Sequence, residues 1–373
     1  MEPFKNLISP DLVALIAKHI ARQFPAFDAD GFCAATIPAL DALEMKARVG
    51  MLADHLHGAL PSAPSERNQI LAAILHPDRL GQGQRTTDEQ GVAGWGIWPL
   101  TTLVGRYGLD DFDGSLALLR LMTMRHTAEF DVRPYLIADQ TRALKAITAW
   151  AQDENHHVRR LASEGTRPRL PWGVKLPALC ADPTPVLPVL AVLRDDPSDY
   201  VRRSVANHLN DISKDHPDLL IALATEWAKG ADKNRMAMLR HACRTMIKDG
   251  HPEALAIFGF GPARVDIAPI SLSSPDIAMG DSLEFNTTIT SSAEQAQNLS
   301  IDYVIHFRKA NGRTAPKVFK GGKAVLAPGA TMTFARRHAI RPITTRTYYA
   351  GAHSIALRVN GVDTEAVPFT LTV

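Results

Sequence analysis

From Asp11 to about Phe258, apolar residues recur at spacings of three and four, beginning with Leu12, Ala14, Leu15, Ile16 and Ile20. That is the period of amphipathic helices. After Gly261-Pro262 the period becomes two: Leu283, Phe285 and Ile289 share one parity, as do Ile301, Tyr303, Ile305 and Phe307. The tail runs Ile355, Leu357, Val359, then Asn360-Gly361, then Val367, Phe369, Leu371 and Val373. Alternation broken by Asn-Gly predicts a hairpin with a type I′ turn, whose two central residues need positive φ. The pattern divides the chain near 260–266 into a helical domain, 1–262, and a small antiparallel β-sandwich, 263–373.

The helical part repeats. DENHHVRRLAS (153–163), DDPSDYVRRSVA (from Asp195) and DKNRMAMLRHA (232–242) place a second arginine at Arg160, Arg203 and Arg240, in steps of 43 and 37 residues. MTMRHTAEF centres an earlier relative on Arg125, 35 residues before Arg160. Steps of this size with Asp or Pro turns before the helix predict an α-solenoid of HEAT-like helix pairs, each burying its apolar face against its neighbours. DPTPVLP (182–188) reads as a loop between pairs. The loop GQGQ (81–84) and the run GVAGWGIWP (91–99) fit no phosphate-binding motif.

Charge changes the picture only through its distribution, because the net value is +2. Residues 301–350 carry ten Lys or Arg against Asp302 alone, a net +9. Arg308, Lys317, Lys320 and Arg336 in that stretch are candidate contacts to a polyanion such as a nucleic-acid backbone. A strand surface kept soluble by basic residues gives the same count. In the solenoid, Arg159, Arg160, Arg202, Arg203 and Arg240 fall in register, as a phosphate-binding stripe requires. Arginines pairing with a turn aspartate such as Asp153 or Asp196 also produce that register.

Two carboxylates interrupt it. Glu129 follows Arg125 by four residues and Glu164 follows Arg160 by four, which predicts one helical position in adjacent repeats. Asp211 lies one turn beyond the next equivalent, Asn207. Three acids converging in a basic groove repel a DNA backbone unless something positive sits between them, a local conflict of the kind found at functional sites. Surface pairing of each Glu with its preceding Arg is the plainer alternative. Trp172, in RPRLPWG (167–173), stands in a loop or helix start, where an indole either stacks on a base or sugar or packs over the preceding helix.

Cys33, Cys180 and Cys243 form no CxxC or disulfide framework, and His156 and His157 have no partner at metal-ligand spacing. No metal or cofactor is expected. No run of about 18 apolar residues and no secretory leader is apparent, so a cytoplasmic protein is expected, as a monomer.

HTAEFDVRPYL (126–136), VRRLASEGTRPRLPWG (158–173), VRRSVANHLNDISKDHP (201–217) and IKDGHPEAL (247–255) resemble the AlkC branch of the AlkC/AlkD bacterial DNA alkylation-repair family. The C-terminal sandwich resembles the immunoglobulin-like domain some of its members append. The resemblance implies a HEAT-like glycosylase that cleaves the N-glycosidic bond of N3-alkylated bases, 3-methyladenine and 3-methylcytosine, in double-stranded DNA. It implies that Glu129, Glu164 and Asp211 are active-site acids, that Arg160 and Trp172 lie near the lesion and its backbone, and that the lesion is reached in a bent duplex without a deep pocket. A cationic base needs no acid to leave, so carboxylates would stabilise the oxocarbenium-like sugar and position water. Two rivals stand beside this: a lesion-binding protein that does not cut, and a HEAT scaffold for a protein partner.

Overall fold

The computed structural model describes residues 3–78, 86–344 and 346–373, so the GQGQ loop lies outside the described residues. Helices occupy the chain to Ile257, and strands begin at Val265. Compactness divides it elsewhere: one unit comprises Met1–Pro217 and Asp232–Ala242, the other Asp218–Ala231 and Cys243–Val373.

In the first unit, helices begin where side chains satisfy their open N–H groups. Ser9, Asp28, Asp111, Asp139 and Asn155 each accept a backbone N–H of the turn they start. Helix Asp199–Ile212 packs on His156–Glu164 before it and on Lys233–Ala242 after it, the stacking that the repeat predicts. Val158, Leu161, Ala162, Val201, Val205, Leu209 and Leu239 fill the seam. The expected loop 182–188 contains one short 3-10 turn, Thr184–Val186, before helix Leu187–Leu193.

A second bond type fixes the repeat. Arg120 Nε donates to Asp153 Oδ2 at 2.7 Å, and Arg159 Nε donates to Asp196 Oδ2 at 2.5 Å. Both aspartates lie buried in inter-repeat turns and also accept a backbone N–H two residues on, from Asn155 and Ser198. Each turn is thereby tied to the helix of the preceding repeat. This shifts the register of the earliest repeat: Arg120 is the counterpart of Arg159, whereas Arg125 lies beyond the end of helix Phe112–Thr123 and donates to the carbonyls of His76 and Leu121.

In the second unit, Val265–Ile267, Ser271–Leu272, Ser282–Ser291 and Thr331–Ala339 form one sheet. Asp276–Ala278, Gln297–Arg308, Thr314–Leu326, Gly351–Val359, Val362–Asp363 and Val367–Thr372 form the other. Pairing is antiparallel except between Asp276–Ala278 and Val367–Thr372. The predicted parities meet in one core: Leu283, Phe285, Ile289 and Phe334 with Ile301, Tyr303, Ile305, Phe307, Ile355, Leu357, Phe369 and Leu371. Val373 falls past the last strand and is exposed.

Asn360 and Gly361 adopt φ of 45° and 88°, as a type I′ turn demands. The Asn360 amide donates to the carbonyls of Gly261 and Asn298 at 2.7 and 3.0 Å and accepts from Ser300 N at 2.7 Å. Gly361 abuts Gly250, whose own φ is 83°, so closely that a Cβ on Gly361 would lie 2.3 Å from the Gly250 carbonyl oxygen. The turn therefore joins the strands to the last helices of the same unit. Asn360→Ala should destabilise this unit by roughly 2–3 kcal/mol, through lost buried hydrogen bonds plus left-handed strain. Asn360→Gly should recover about 1 kcal/mol of that by removing the strain alone. Urea unfolding followed by far-UV circular dichroism measures both, and equal losses would refute the strain component.

Candidate functional site

The three acids converge, by a route different from the one the spacing implies. Glu129 is not on a helix but in the turn between Phe112–Thr123 and Arg133–Ala138. Thr127 shapes that turn: its hydroxyl accepts the Glu129 N–H at 3.2 Å and donates to Glu129 Oε2 at 2.8 Å. Glu164 ends helix His156–Glu164, and Asp211 lies in the last turn of Asp199–Ile212.

Two guanidiniums join them. Arg160 bonds Glu129 Oε2 and Thr127 Oγ1 and reaches Glu164 Oε1 at 3.5 Å. Arg167 donates to Glu164 Oε1 at 2.6 Å and to Asp211 Oδ2 at 2.8 Å. Ser204 donates to Glu164 Oε2 at 2.6 Å, and Lys214 reaches Asp211 Oδ1 at 3.1 Å from the rim. The expected positive partner between the acids is thus supplied by the chain itself. Among the described residues, Glu129 Oε1 is the one carboxylate oxygen of the six without a hydrogen-bonding partner.

Burial alone would raise the Glu164 carboxyl, but Arg160 and Arg167 outweigh it and hold it below its ordinary value, so Glu164 is ionised at neutral pH. Neutral rings stand beside this charge. Arg160 lies 5.1 Å from the Tyr200 ring centroid, Trp95 packs on His126, and Trp98 stacks on Phe130. Burial and the Arg160 charge push the His126 imidazole down to about 4, leaving it neutral.

Trp172 stands in a loop and does not pack over the preceding helix: it is 63% exposed. Its φ of 67° is a left-handed conformation costing about 1–2 kcal/mol for a residue with a Cβ. The surroundings enforce it. Lys46 donates to the Trp172 carbonyl at 2.7 Å and lies 5.6 Å from the ring centroid. Beneath the loop, Arg133 is fully buried and donates to the carbonyls of Gly165, Arg167 and Val174.

The expected arginine stripe divides. Arg159 and Arg202 are bonded within the repeats. Arg159 is committed to Asp196 and the carbonyls of Asp153 and Glu154, and Arg202 donates to the carbonyls of Asp196 and Pro197. Both side chains are largely buried, so they hold turns rather than face solvent. Arg160 is likewise turned into the acid cluster. Arg203 is exposed, paired only on the surface with Asp199, at a cleft of about 210 Å³ that Asn234 and His241 also line. Arg240 stands eighth in helix Lys233–Ala242, where Arg160 and Arg203 stand fifth in theirs, so it is out of register. In the second unit Lys317, Lys320 and Arg336 are exposed, with Arg336 also bonded to the Gly321 carbonyl. Arg308 is half-buried against Gly351.

Arg167, Thr127, Ser204, Lys214, Tyr200 and Arg133 were not among the residues expected from sequence. Arg167 and Lys214 carried a signal, each three residues after an acid on or just beyond a helix end. Arg133 and Ser204 act across more than 30 residues and carried none.

Residues 123–246 match the family model for DNA alkylation repair enzymes. Residues 266–373 match the model described as the C-terminal Ig-like domain of the uncharacterised protein YhaZ. YhaZ of Bacillus subtilis strain 168 is 35% identical, over 99% of both chains. The Pseudomonas fluorescens alkylpurine DNA glycosylase AlkC, solved bound to DNA containing an abasic-site analogue, is 34% identical over the whole of both chains, with a TM-score of 0.84. The chain belongs to the AlkC branch of the DNA alkylation-repair family. In this AlkC-type chain, Glu129, Glu164 and Asp211 form one charged cluster, and Trp172 stands apart on an exposed loop.

Two residues from Glu129, Asp131 is buried, and burial pushes its carboxyl up to about 7 against the opposing pull of Thr101 and Thr102. Its folded value exceeds the unfolded one near 3.8, so its contribution to stability is full below about pH 4 and is lost as pH rises through about 7. Asp131→Asn should remove this slope. Between pH 5 and pH 8 wild type should lose up to roughly 3 kcal/mol more than the variant. Urea unfolding at the two pH values checks it, and identical pH dependence would refute it.

Proposed function

We propose that this chain is a DNA glycosylase that hydrolyses the N-glycosidic bond of cationic N3-alkylated bases, 3-methyladenine and 3-methylcytosine, in double-stranded DNA. The observation that carries the reading is the open Glu129 Oε1 at the end of an otherwise saturated acid–arginine chain, with neutral rings alongside. An N3-alkylated base takes the electrons of its C1′–N bond as it leaves and becomes neutral. The sugar acquires positive charge, which a fixed carboxylate stabilises without reorganising. Water then adds to C1′, and Glu129 is the acid with an oxygen free to receive its proton. Glu164 and Asp211 act as fixed negative charge, since their oxygens are already bonded. The AlkC relative, solved bound to DNA containing an abasic-site analogue, supports this reading.

Single-turnover incubation with methylated DNA should release both bases. Glu129→Gln should slow release by about 10²–10³, the usual cost of removing one preorganised stabilising group, and lower Tm because Arg160 loses its nearest carboxylate. Glu164→Gln and Asp211→Asn should slow it comparably and also lower Tm, because each leaves Arg167 buried and short of a partner. No release by wild type, with DNA affinity intact, would favour a lesion binder; no DNA affinity would favour a protein scaffold.

The backbone contacts fall to the exposed cations. Arg203→Ala and Lys320→Ala should each flatten the slope of log affinity against log salt by about 0.9 per lost phosphate contact. Arg159→Ala should leave the slope unchanged and lower Tm, since it breaks a buried pair. A flattened slope for Arg159→Ala would return that residue to the DNA surface.

A further inference from the structure

Pro168 and Pro171 remove two backbone donors from the segment Gly165–Val174, which leaves few internal bonds to hold it. Two close it locally: Gly173 N to the Leu170 carbonyl at 3.2 Å, and Leu176 N to the Pro168 carbonyl at 3.1 Å. Arg169 anchors its middle to Asp215 at 2.7 and 2.8 Å, and one buried guanidinium fastens its two ends from beneath. Arg133 Nη1 donates to Gly165 O at 3.0 Å and to Arg167 O at 2.8 Å, and Nε donates to Val174 O at 2.6 Å. Burial and the Arg167 charge lower this guanidinium to about 10, so it stays charged at neutral pH.

Between the fastened ends, Trp172 is held in its left-handed conformation with the indole in solvent. Strained, exposed aromatics persist only where their surroundings over-determine them. Lys46 alone, a single exposed ammonium on the Trp172 carbonyl, does not supply that. A planar fork reaches three carbonyls on both ends of the segment; an ammonium on a flexible stem does not hold that pattern.

We propose that Arg133 is a positioning residue, which acts through the carbonyls of Gly165, Arg167 and Val174 to hold the Trp172 indole outward for stacking against DNA. This rests on the DNA-acting reading above, and its test separates the two. Arg133→Lys keeps the charge and loses the fork. In the DNA-free variant, hydrogen exchange of the Gly173 and Leu176 amides should rise at least about tenfold, while helix Asp199–Ile212 changes by less than about twofold. Affinity for a duplex carrying an abasic-site analogue should fall about tenfold in Arg133→Lys and in Trp172→Ala, and no further in the double variant.

Exchange that rises equally throughout the unit, or losses that multiply in the double variant, would overturn the proposal. If Arg133→Lys does not fold, Gly173→Ala presses on the same guanidinium, its Cβ lying 3.3 Å from Arg133 Nε and 3.1 Å from the movable Leu170 Cδ2. It should give a smaller exchange increase confined to the same loop, and an unchanged loop would overturn the proposal. The exchange measurement contains no DNA, so failure of base release leaves it able to decide the role of Arg133.

Discussion

The first unit is organised around a chain of alternating charge, Glu129, Arg160, Glu164, Arg167 and Asp211, all largely withdrawn from water. Burying one carboxylate costs several kcal/mol, and the attraction of a partner offsets that only if the geometry is good and the remaining lone pairs are bonded. Here the members come from three places in the chain: the turn before Arg133, helix His156–Glu164 with the turn after it, and helix Asp199–Ile212. None of the three segments can shift by an ångström without stranding a charge. The apolar seam between the helices tolerates small slips; the ionic chain does not, and it sets the register of the repeats where they carry the acids.

The paired arginines of the repeat show how one dipeptide serves two ends. Arg159 and Arg160 are adjacent on a helix and so point about 100° apart. Arg159 reaches forward to Asp196 in the next turn, and Arg160 reaches back to Glu129 in the preceding one. One links scaffold to scaffold, the other links scaffold to site. In the following repeat the same pair has a lighter duty: Arg202 holds turn carbonyls, and Arg203 is left on the surface with Asp199. Register in the sequence therefore marks equivalent positions, while the partner available at each position decides the role.

This explains how much was readable beforehand. The change of period, the sandwich core and the Asn360-Gly361 turn depend on local patterns, and the structure follows them except at the terminal Val373. The acids were recognisable as a group because like charges in a basic register are anomalous. Their partners were not, because Ser204, Thr127 and Arg133 meet the site across distances in sequence that no period encodes. The placement of Glu129 on a helix failed for a related reason. Arg125 imitates Arg160 in spacing, but helix Phe112–Thr123 ends before it, and Arg120 takes the structural position instead. Spacing between charged residues measures separation along the chain and is blind to where a helix stops.

The balance of charge bears on selectivity under the proposed reading. Three carboxylates alternate with two buried guanidiniums, with Lys214 half-exposed at the edge, so what the site offers a substrate is the open carboxylate oxygen of Glu129 at the end of an otherwise paired chain. A neutral base gains little from such a site. A cationic one gains attraction in the ground state, and the gain moves to the sugar as the bond breaks and the positive charge passes from base to C1′. Transition-state stabilisation then requires the negative charge to sit nearer the sugar than the base. The proposal assigns that place to Glu129, whose position is set by Thr127 and Arg160 and which has one oxygen left over. Discrimination of this kind rests on charge and not on the shape of a deep pocket. Under the proposed reading, it would admit purine and pyrimidine lesions alike, provided that alkylation has made them cationic.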